Sequence, residues 1–148
     1  MKALYIGSFD PFTNGHYEIL KQAEDLFSEV IICFATNPKK KRRFSQLTCA
    51  NALNHLDKKR IIISSNDLTP NIMKEYNCKY LIRGLRNTSD YLYEEQLYQM
   101  YKELDKDFKC IYLRGNNISS TFVWELYKRD LDVSNYLPYN INYLREDK

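Results

Sequence analysis

The segment KALYIGSFDPFTNGH, residues 2–16, joins an apolar strand to the start of a helix through a loop that contains two glycines. Lys2–Ile6 has the composition of a short buried strand, and apolar residues recur at helical spacing over Asn14–Phe27. A glycine-containing connection that leads into a helix N-terminus can place main-chain amides against an anion. The segment therefore predicts the first unit of an α/β fold and marks its most informative loop.

The rest of the chain repeats this alternation of strand and helix. Further strands are expected at 30–35, 60–64, 80–82 and 110–113, and further helices at 46–56, 69–76, 88–104 and 119–130. A short helix and a surface tail are expected over 134–148. The alternation predicts a Rossmann-like α/β fold, an open parallel five-stranded sheet with helices on both faces. Neither a repeat nor a linker interrupts it, so residues 1–148 are expected to form a single domain.

Helix boundaries follow from the capping residues. Thr69 precedes Pro70 and is predicted to cap the helix at 69–76, because proline is favoured at the first helical position. Thr88 or Ser89 is expected to cap the next helix, and Ser119 or Ser120 the one after it.

Composition excludes several classes of protein. The chain has 148 residues, of which 14% are aromatic, and such a share argues against disorder. Its longest stretch without Asp, Glu, Lys or Arg is the thirteen-residue run 44–56, too short and too polar to span a bilayer. The N-terminus lacks the apolar core of a signal peptide. These features predict a cytoplasmic protein without a membrane partner.

Cysteine and histidine usage disfavours a metal site. The four cysteines show no CxxC pairing, and Cys33 and Cys110 lie inside apolar runs, so buried free thiols are expected. Two histidines, His16 and His55, are too few for a histidine-rich site. The net charge of +3 suits anionic ligands.

The four glycines are the most informative residues of the composition. Average usage of about 7% would give roughly ten. All of them follow predicted strands, namely Gly7, Gly15, Gly84 and Gly115. Because the carboxyl ends of parallel strands lie at one edge of the sheet, these positions are expected to meet there and to let the backbone approach a ligand.

Side chains that can bind phosphate share those positions. His16 lies in the first helical turn, Arg83 and Arg86 flank Gly84, and Ser119 and Ser120 open a helix. Lys40 adds charge from the basic run 39–43 that follows the second strand. Each feature alone has a structural explanation: His16 as a cap, the basic run as a solvated loop, Glu94 as a partner of Arg83 or Arg86. Together they predict a site for a polyphosphate such as a nucleoside triphosphate.

Residues 7–16 also resemble the signature G-x-F-D-P-x-x-x-G-H of the nucleotidyltransferase superfamily. Thr13-Asn14-Gly15-His16 resembles the T-x-G-H form found in the phosphopantetheine adenylyltransferase family. The strings I-R-G-L-R at 82–86 and D-x-x-Y-E-x-Q at 90–96 agree with that family, as do segments 37–44, 118–120 and 132–138.

The resemblance implies transfer of AMP from ATP to 4′-phosphopantetheine, which yields dephospho-coenzyme A and pyrophosphate without a covalent enzyme intermediate. It implies Mg²⁺ carried on ATP, no metal held by the protein, no nucleic-acid partner, and a homo-oligomer, commonly a hexamer. His16 would be the catalytic residue. The residues implied to bind ATP are Ser8, Phe9, His16, Gly84, Leu85, Arg86, Glu94, Ile118, Ser119, Ser120 and Thr121. Those implied to bind the acceptor are Ser8, Lys40, Thr69 and Arg83.

Of three departures from the family pattern, one falls at 46–49, and the other two leave alternatives open. The loop 114–117 is short, and Thr69 stands where an apolar side chain is usual. A related transferase that uses CTP or another acceptor phosphate is the first alternative, and a catalytically weakened nucleotide-binding homologue is the second. A nucleic-acid-binding module is disfavoured, because the basic residues are dispersed and no RNP1-like string is present.

Overall fold

The computed structural model describes residues 1–145, and its elements alternate as expected. The strands are β1 Lys2–Gly7, β2 Glu29–Phe34, β3 Ile61–Ser64, β4 Tyr80–Gly84 and β5 Cys110–Leu113. The helices are α1 Asn14–Leu26, α2 Gln46–Ala52, α3 Thr69–Glu75, α4 Thr88–Leu104, α5 Ser120–Lys128 and α6 Asn142–Arg145, with 3₁₀ turns at Leu53–His55 and Ser134–Tyr136. The end of the predicted tail, 146–148, lies outside the described residues.

The five strands form one parallel sheet in the order β3-β2-β1-β4-β5. The chain therefore runs outward from β1 to β3, then returns to the other side of β1 for β4 and β5. This reversal places the switch point between β1 and β4, where ligands of open α/β sheets bind. The predicted Rossmann-like fold is confirmed.

Two apolar layers cover the sheet and fix β1 at its centre. Ala3 and Tyr5 of β1 face the larger layer, which contains the apolar stripe of α1, whereas Leu4 and Ile6 face the smaller one with α3. This period of two is that of a strand buried on both faces. Full burial of each large aliphatic side chain contributes about 1.5–3 kcal/mol. The loop that follows β1 is thereby held over the middle of the sheet.

Two of the predicted caps are wrong by one residue. Asn87 caps α4 in place of Thr88 or Ser89, since its side-chain oxygen accepts the Asp90 N–H at 2.9 Å and asparagine is a stronger cap than threonine. Thr69 is the first residue of α3 rather than its cap, which is Leu68. The Ser119 cap on α5 is confirmed, because its hydroxyl accepts the Phe122 N–H at 3.0 Å.

The helix predicted over 46–56 ends early. Its α-helical part stops at Ala52, and a 3₁₀ turn continues to His55. Within residues 1–145 the four cysteines form no disulfide bond, and Cys110 alone among them is only half-buried. Across residues 1–145, no helix combines the length and apolarity needed to cross a membrane.

Candidate functional site

A cavity of about 930 Å³ opens at the carboxyl edge of the sheet, above the switch point. Every site residue predicted from the sequence lines it except Leu85, whose N–H bonds the Leu113 carbonyl instead. Lys40 lies on the exposed basic loop, defined here as residues 39–43, and its side chain has no protein partner among residues 1–145. The sequence thus predicted which segments meet, although the roles of several side chains differ from expectation.

The imidazole of His16 is oriented by the loop that precedes α1. The Thr13 N–H donates to His16 Nδ1 at 3.0 Å, and the Thr13 hydroxyl accepts the Gly15 N–H at 3.2 Å. This reciprocal arrangement is a capping box with histidine in the position usually held by Glu or Gln. Because Nδ1 accepts a main-chain proton, a neutral ring carries its own proton on Nε2.

The surroundings keep His16 neutral. Burial, and then the positive charges of Arg86 and Arg83, lower the pKa of His16 to about 3. At neutral pH the ring therefore adds no charge of its own. It offers an Nε2–H that has no protein acceptor in the described part of the chain.

The ring of Phe9 supports His16 and is not itself available to a ligand. Phe9 is buried, and its ring meets His16 edge-on with 5.1 Å between centroids. Phe34 and Tyr5 pack against the same ring at 5.3 and 5.0 Å. The expectation that Phe9 contacts ATP is therefore restricted to its main chain.

Phe9 also carries the left-handed backbone of this loop, with φ of 47°. Such a φ costs a bulky residue about 1–3 kcal/mol and persists where the surroundings enforce it. The aromatic side chains packed around the Phe9 ring hold its backbone in this conformation. The resulting turn exposes Ser8 at the cavity.

The glycines serve close packing rather than positive φ, which none of them adopts. A Cβ on Gly15 would lie 2.5 Å from the Ile118 carbonyl oxygen, and one on Gly115 would lie 2.8 Å from the Gly15 carbonyl oxygen. At Gly7 it would meet the Phe9 ring at 2.8 Å, and at Gly84 it would clash with the Ile19 δ-methyl. Protein atoms fill the space that a Cβ would take at these positions, and the expectation that the backbone approaches a ligand there stays a prediction. Glycine here lets the elements around the cavity approach one another.

Arg83 and Glu94 form a buried ion pair beneath the cavity. Arg83 Nη2 lies 2.6 Å from Glu94 Oε1, Nε donates to both carboxylate oxygens at 3.0 Å, and Nη1 donates to the Ile6 carbonyl at 2.8 Å. These contacts use three of the five guanidinium N–H groups, which leaves one on each terminal nitrogen for a ligand. Two roles are predicted for Glu94, ATP binding and pairing with Arg83 or Arg86. The contacts show the pairing with Arg83.

Arg86 has a looser partner at the rim. Its Nε lies 3.3 Å from Asp90 Oδ2, and its main-chain N–H donates to the same oxygen at 3.0 Å. The Arg86 side chain remains more exposed than that of Arg83. It can turn toward an anion at smaller cost, because an exposed ion pair of this kind contributes only about 0–1 kcal/mol.

The hydroxyl groups at the start of α5 are already engaged by the protein. Ser119 caps the helix, the Ser120 hydroxyl donates to the Pro11 carbonyl at 2.7 Å, and the Thr121 hydroxyl accepts from Arg43 Nη2 at 2.7 Å. The main-chain N–H groups of Ser120 and Thr121 have no acceptor within residues 1–145. This turn therefore offers these two amides to an anion.

Thr69 lies in the wall of the cavity. It is buried, and its hydroxyl donates to the Tyr101 hydroxyl at 3.2 Å. Both residues line the cavity, so this wall carries a polar pair.

The short loop 114–117 is fixed to α1. Gln22 Nε2 donates to the Arg114 carbonyl at 2.9 Å, and the Asn116 N–H donates to Glu18 Oε2 at 3.0 Å. Asn116 lines the cavity, so these contacts fix this part of its wall.

Sequence reasoning missed the residues that hold the basic loop in place. The Asp10 carboxylate accepts the N–H groups of Arg43 and Phe44 at 2.7 and 2.9 Å. Arg42 Nη1 donates to the Ser8 carbonyl at 2.9 Å. Asp10 lies in the signature of residues 7–16 and the arginines lie in the basic run 39–43. Nothing in their spacing indicates that the two segments touch.

Comparisons with known proteins agree on the family. A profile of the family described as cytidylyltransferase-like matches residues 4–126. The phosphopantetheine adenylyltransferase of Nautilia profundicola is 40% identical over 148 residues, covering 95% of this chain and 96% of the relative. The protein of the same name from Cytophaga hutchinsonii is 36% identical, covering 94% of this chain and 97% of the relative. That of Prochlorococcus marinus subsp. pastoris is 34% identical, with 99% and 100% covered.

A solved structure supports the fold independently. The lipopolysaccharide core biosynthesis protein from Thermoplasma volcanium GSS1 superposes with a TM-score of 0.57 at 19% identity, covering 78% of this chain and 96% of that protein. At this identity the likeness concerns the architecture alone.

Proposed function

Since the chain belongs to the phosphopantetheine adenylyltransferase family of cytidylyltransferase-like nucleotidyltransferases, we propose that it transfers AMP from ATP to 4′-phosphopantetheine. An acceptor phosphate oxygen forms a bond to the α-phosphorus, the bond from that phosphorus to the bridging oxygen breaks, and pyrophosphate leaves. The products are dephospho-coenzyme A and pyrophosphate. A phosphate ionised at neutral pH needs no general base, so positioning and charge stabilisation carry the rate.

His16 carries this proposal. The observation that supports it is a neutral imidazole held by the Thr13 N–H, with its Nε2–H unpartnered at the cavity. A fixed donor of this kind can stabilise charge that develops on an α-phosphate oxygen in the transition state. Because the ring is neutral, it donates this hydrogen bond without giving up its Nε2 proton to the attacking phosphate.

The cationic groups around the cavity divide between the two substrates. We assign the acceptor phosphate to Lys40 and to the two free N–H groups of Arg83, with Ser8 nearby. We assign the nucleotide to Gly84–Arg86, the Phe9 main chain and the turn 118–121. In this turn the amides of Ser120 and Thr121 can donate to a phosphate. Glu94 acts through Arg83, whose guanidinium it orients.

Mg²⁺ enters with ATP in this proposal. The cavity carboxylates Asp10, Asp67, Asp90 and Glu94 each accept from a main-chain N–H or an arginine. No group of three or more His, Cys, Asp or Glu residues that could hold a metal ion occurs within residues 1–145. The donor set therefore fits an ion that the triphosphate itself binds, where it neutralises charge on the leaving pyrophosphate.

The short loop 114–117 favours one alternative, a transferase that uses CTP or another acceptor phosphate. Pyrophosphate release with Mg²⁺ separates the candidates when ATP and CTP are each paired with 4′-phosphopantetheine and with other acceptor phosphates. The proposal expects turnover with ATP and 4′-phosphopantetheine. Turnover only with CTP or another acceptor supports the alternative, and a folded protein that binds ATP without turnover supports a weakened homologue.

The proposal extends to self-association and to a cytoplasmic location for coenzyme A synthesis. The surface that supports self-association is α4, which buries Glu94 alone among its seventeen residues. Five apolar side chains of this helix are exposed, namely Tyr91, Leu92, Tyr93, Met100 and Leu104. A second copy of this chain is the proposed partner for this face.

A further inference from the structure

We propose that Arg43 is a positioning residue for the nucleotide, because its guanidinium ties the basic loop to the first turn of α5. The amides at the start of α5 thereby keep a fixed place relative to His16. This inference rests on the proposed function and adds a residue to which the family resemblance gives no role.

One guanidinium joins two segments that are distant in sequence. Arg43 Nη2 donates to Thr121 Oγ1 at 2.7 Å across a separation of 78 residues, and Nη1 donates to the Asp10 carbonyl at 3.4 Å. Thr121 is the second residue of α5, within the turn that offers its amides to the cavity. A guanidinium has several donors in one rigid plane, so it can hold both acceptors at a fixed spacing.

The main chain of Arg43 is anchored separately from its side chain. The two Asp10 carboxylate oxygens accept the N–H groups of Arg43 and Phe44 at 2.7 and 2.9 Å. The main chain of Arg43 is therefore fixed, and its side chain reaches from there to α5. Truncating the side chain would remove its contact with α5 while Asp10 still holds the loop.

The charge at this position suits an anionic ligand. A cation beside a helix N-terminus faces the positive end of the helix dipole, which disfavours it in the free protein. The side-chain acceptors of Arg43 there are a hydroxyl and a carbonyl, both uncharged. A triphosphate bound at the same turn would offset this repulsion.

The test is a double-mutant cycle on ATP binding without acceptor, measured by calorimetry for wild type, Arg43→Ala, Thr121→Val and the double variant. Loss of the shared hydrogen bond predicts that each single variant binds ATP about 3- to 10-fold more weakly. The double variant should be no weaker than the weaker-binding single variant. Losses that multiply in the double variant, or no loss in Arg43→Ala, would overturn the inference.

Steady-state kinetics distinguish the loss of the Arg43–Thr121 contact from a general loss of positive charge. Arg43→Ala should raise the KM for ATP and leave the KM for 4′-phosphopantetheine within about 2-fold, because Asp10 still holds the loop. Lys41→Ala removes one charge from the same loop without touching Thr121, and it measures the effect of charge alone. Equal effects of the two variants on ATP would overturn the inference.

Two further controls keep the result decisive. Thermal unfolding checks each variant, and Arg43→Gln replaces Arg43→Ala if the latter fails to fold. The calorimetric cycle needs no turnover, so a wild type that binds ATP without catalysis contradicts the proposed function while the cycle still decides the role of Arg43. A wild type that does not bind ATP contradicts both.

Discussion

At the scale of single residues, a main-chain contact, burial and two nearby charges set the chemistry of His16. The Thr13 N–H fixes the tautomer, and burial together with two arginines lowers the pKa of His16 to about 3. The motif predicted that a histidine lies at the site. It did not predict the protonation state, which depends on arginines some seventy residues away in sequence.

The depressed pKa makes stability depend on pH. In the unfolded chain His16 titrates near its usual value of about 6.5, so below that pH the unfolded state takes up a proton that the native state refuses. Native stability therefore falls as the pH drops from 6.5 toward the folded pKa of about 3. Between pH 7 and pH 5 this amounts to at most about 2 kcal/mol.

Urea unfolding of wild type and His16→Gln at both pH values measures this difference. Glutamine can still accept the Thr13 N–H, as in an ordinary capping box, but it does not titrate. His55 is present in both proteins, so its contribution cancels. The variant should lose less free energy of unfolding on acidification than wild type, and equal losses would contradict the assigned environment of His16.

At the scale of elements, glycine sets how closely the parts of the site pack. We expect Gly15→Ala to destabilise the fold by about 1–3 kcal/mol, because its Cβ meets a main-chain oxygen that cannot turn aside. Helix propensity alone would favour alanine in α1 by up to about 1 kcal/mol, so the sign of the effect decides between the two. Thermal unfolding checks it.

Gly84→Ala is the matched comparison for that experiment. Its Cβ would meet the end of the Ile19 side chain, which can change rotamer, so the substitution should cost less than Gly15→Ala. A stabilised Gly15→Ala, or the reverse order of the two variants, would show that close packing is not what requires glycine at position 15.

Sequence reasoning located these elements well because each strand and helix has its own period and its own breakers. The α4 cap is Asn87 because neighbouring polar residues can compete for the same amides, whereas Thr69 is already helical and Leu68 before it makes no side-chain cap. The packing role of the glycines and the tie between Asp10 and the basic loop depend on distant contacts. No local pattern in one sequence encodes such contacts.

At the scale of the whole molecule, the exposed face of α4 predicts self-association. The mass of the wild type in solution should exceed the 17.7 kDa of one chain, and Leu92→Glu should lower it because a charge cannot be buried cheaply in an apolar interface. Light scattering coupled to gel filtration measures both.

Leu26→Glu is the control for that prediction. Leu26 ends α1 and is 59% exposed, against 61% for Leu92, but it lies on a different element. Its substitution should leave the assembly intact. A monomeric wild type, or equal effects of the two substitutions, would contradict α4 as the interface.

Adenylyl transfer within the cavity, with His16 as the fixed donor, is the proposed reaction. ATP labelled at the α-phosphorus tests it in the presence of Mg²⁺ and 4′-phosphopantetheine. Wild type is expected to move the label into dephospho-coenzyme A, whereas His16→Ala should do so at least about 100-fold more slowly while still folding and binding ATP. A folded wild type that leaves the label in ATP, or a His16→Ala variant that transfers it at the wild-type rate, would contradict this reaction.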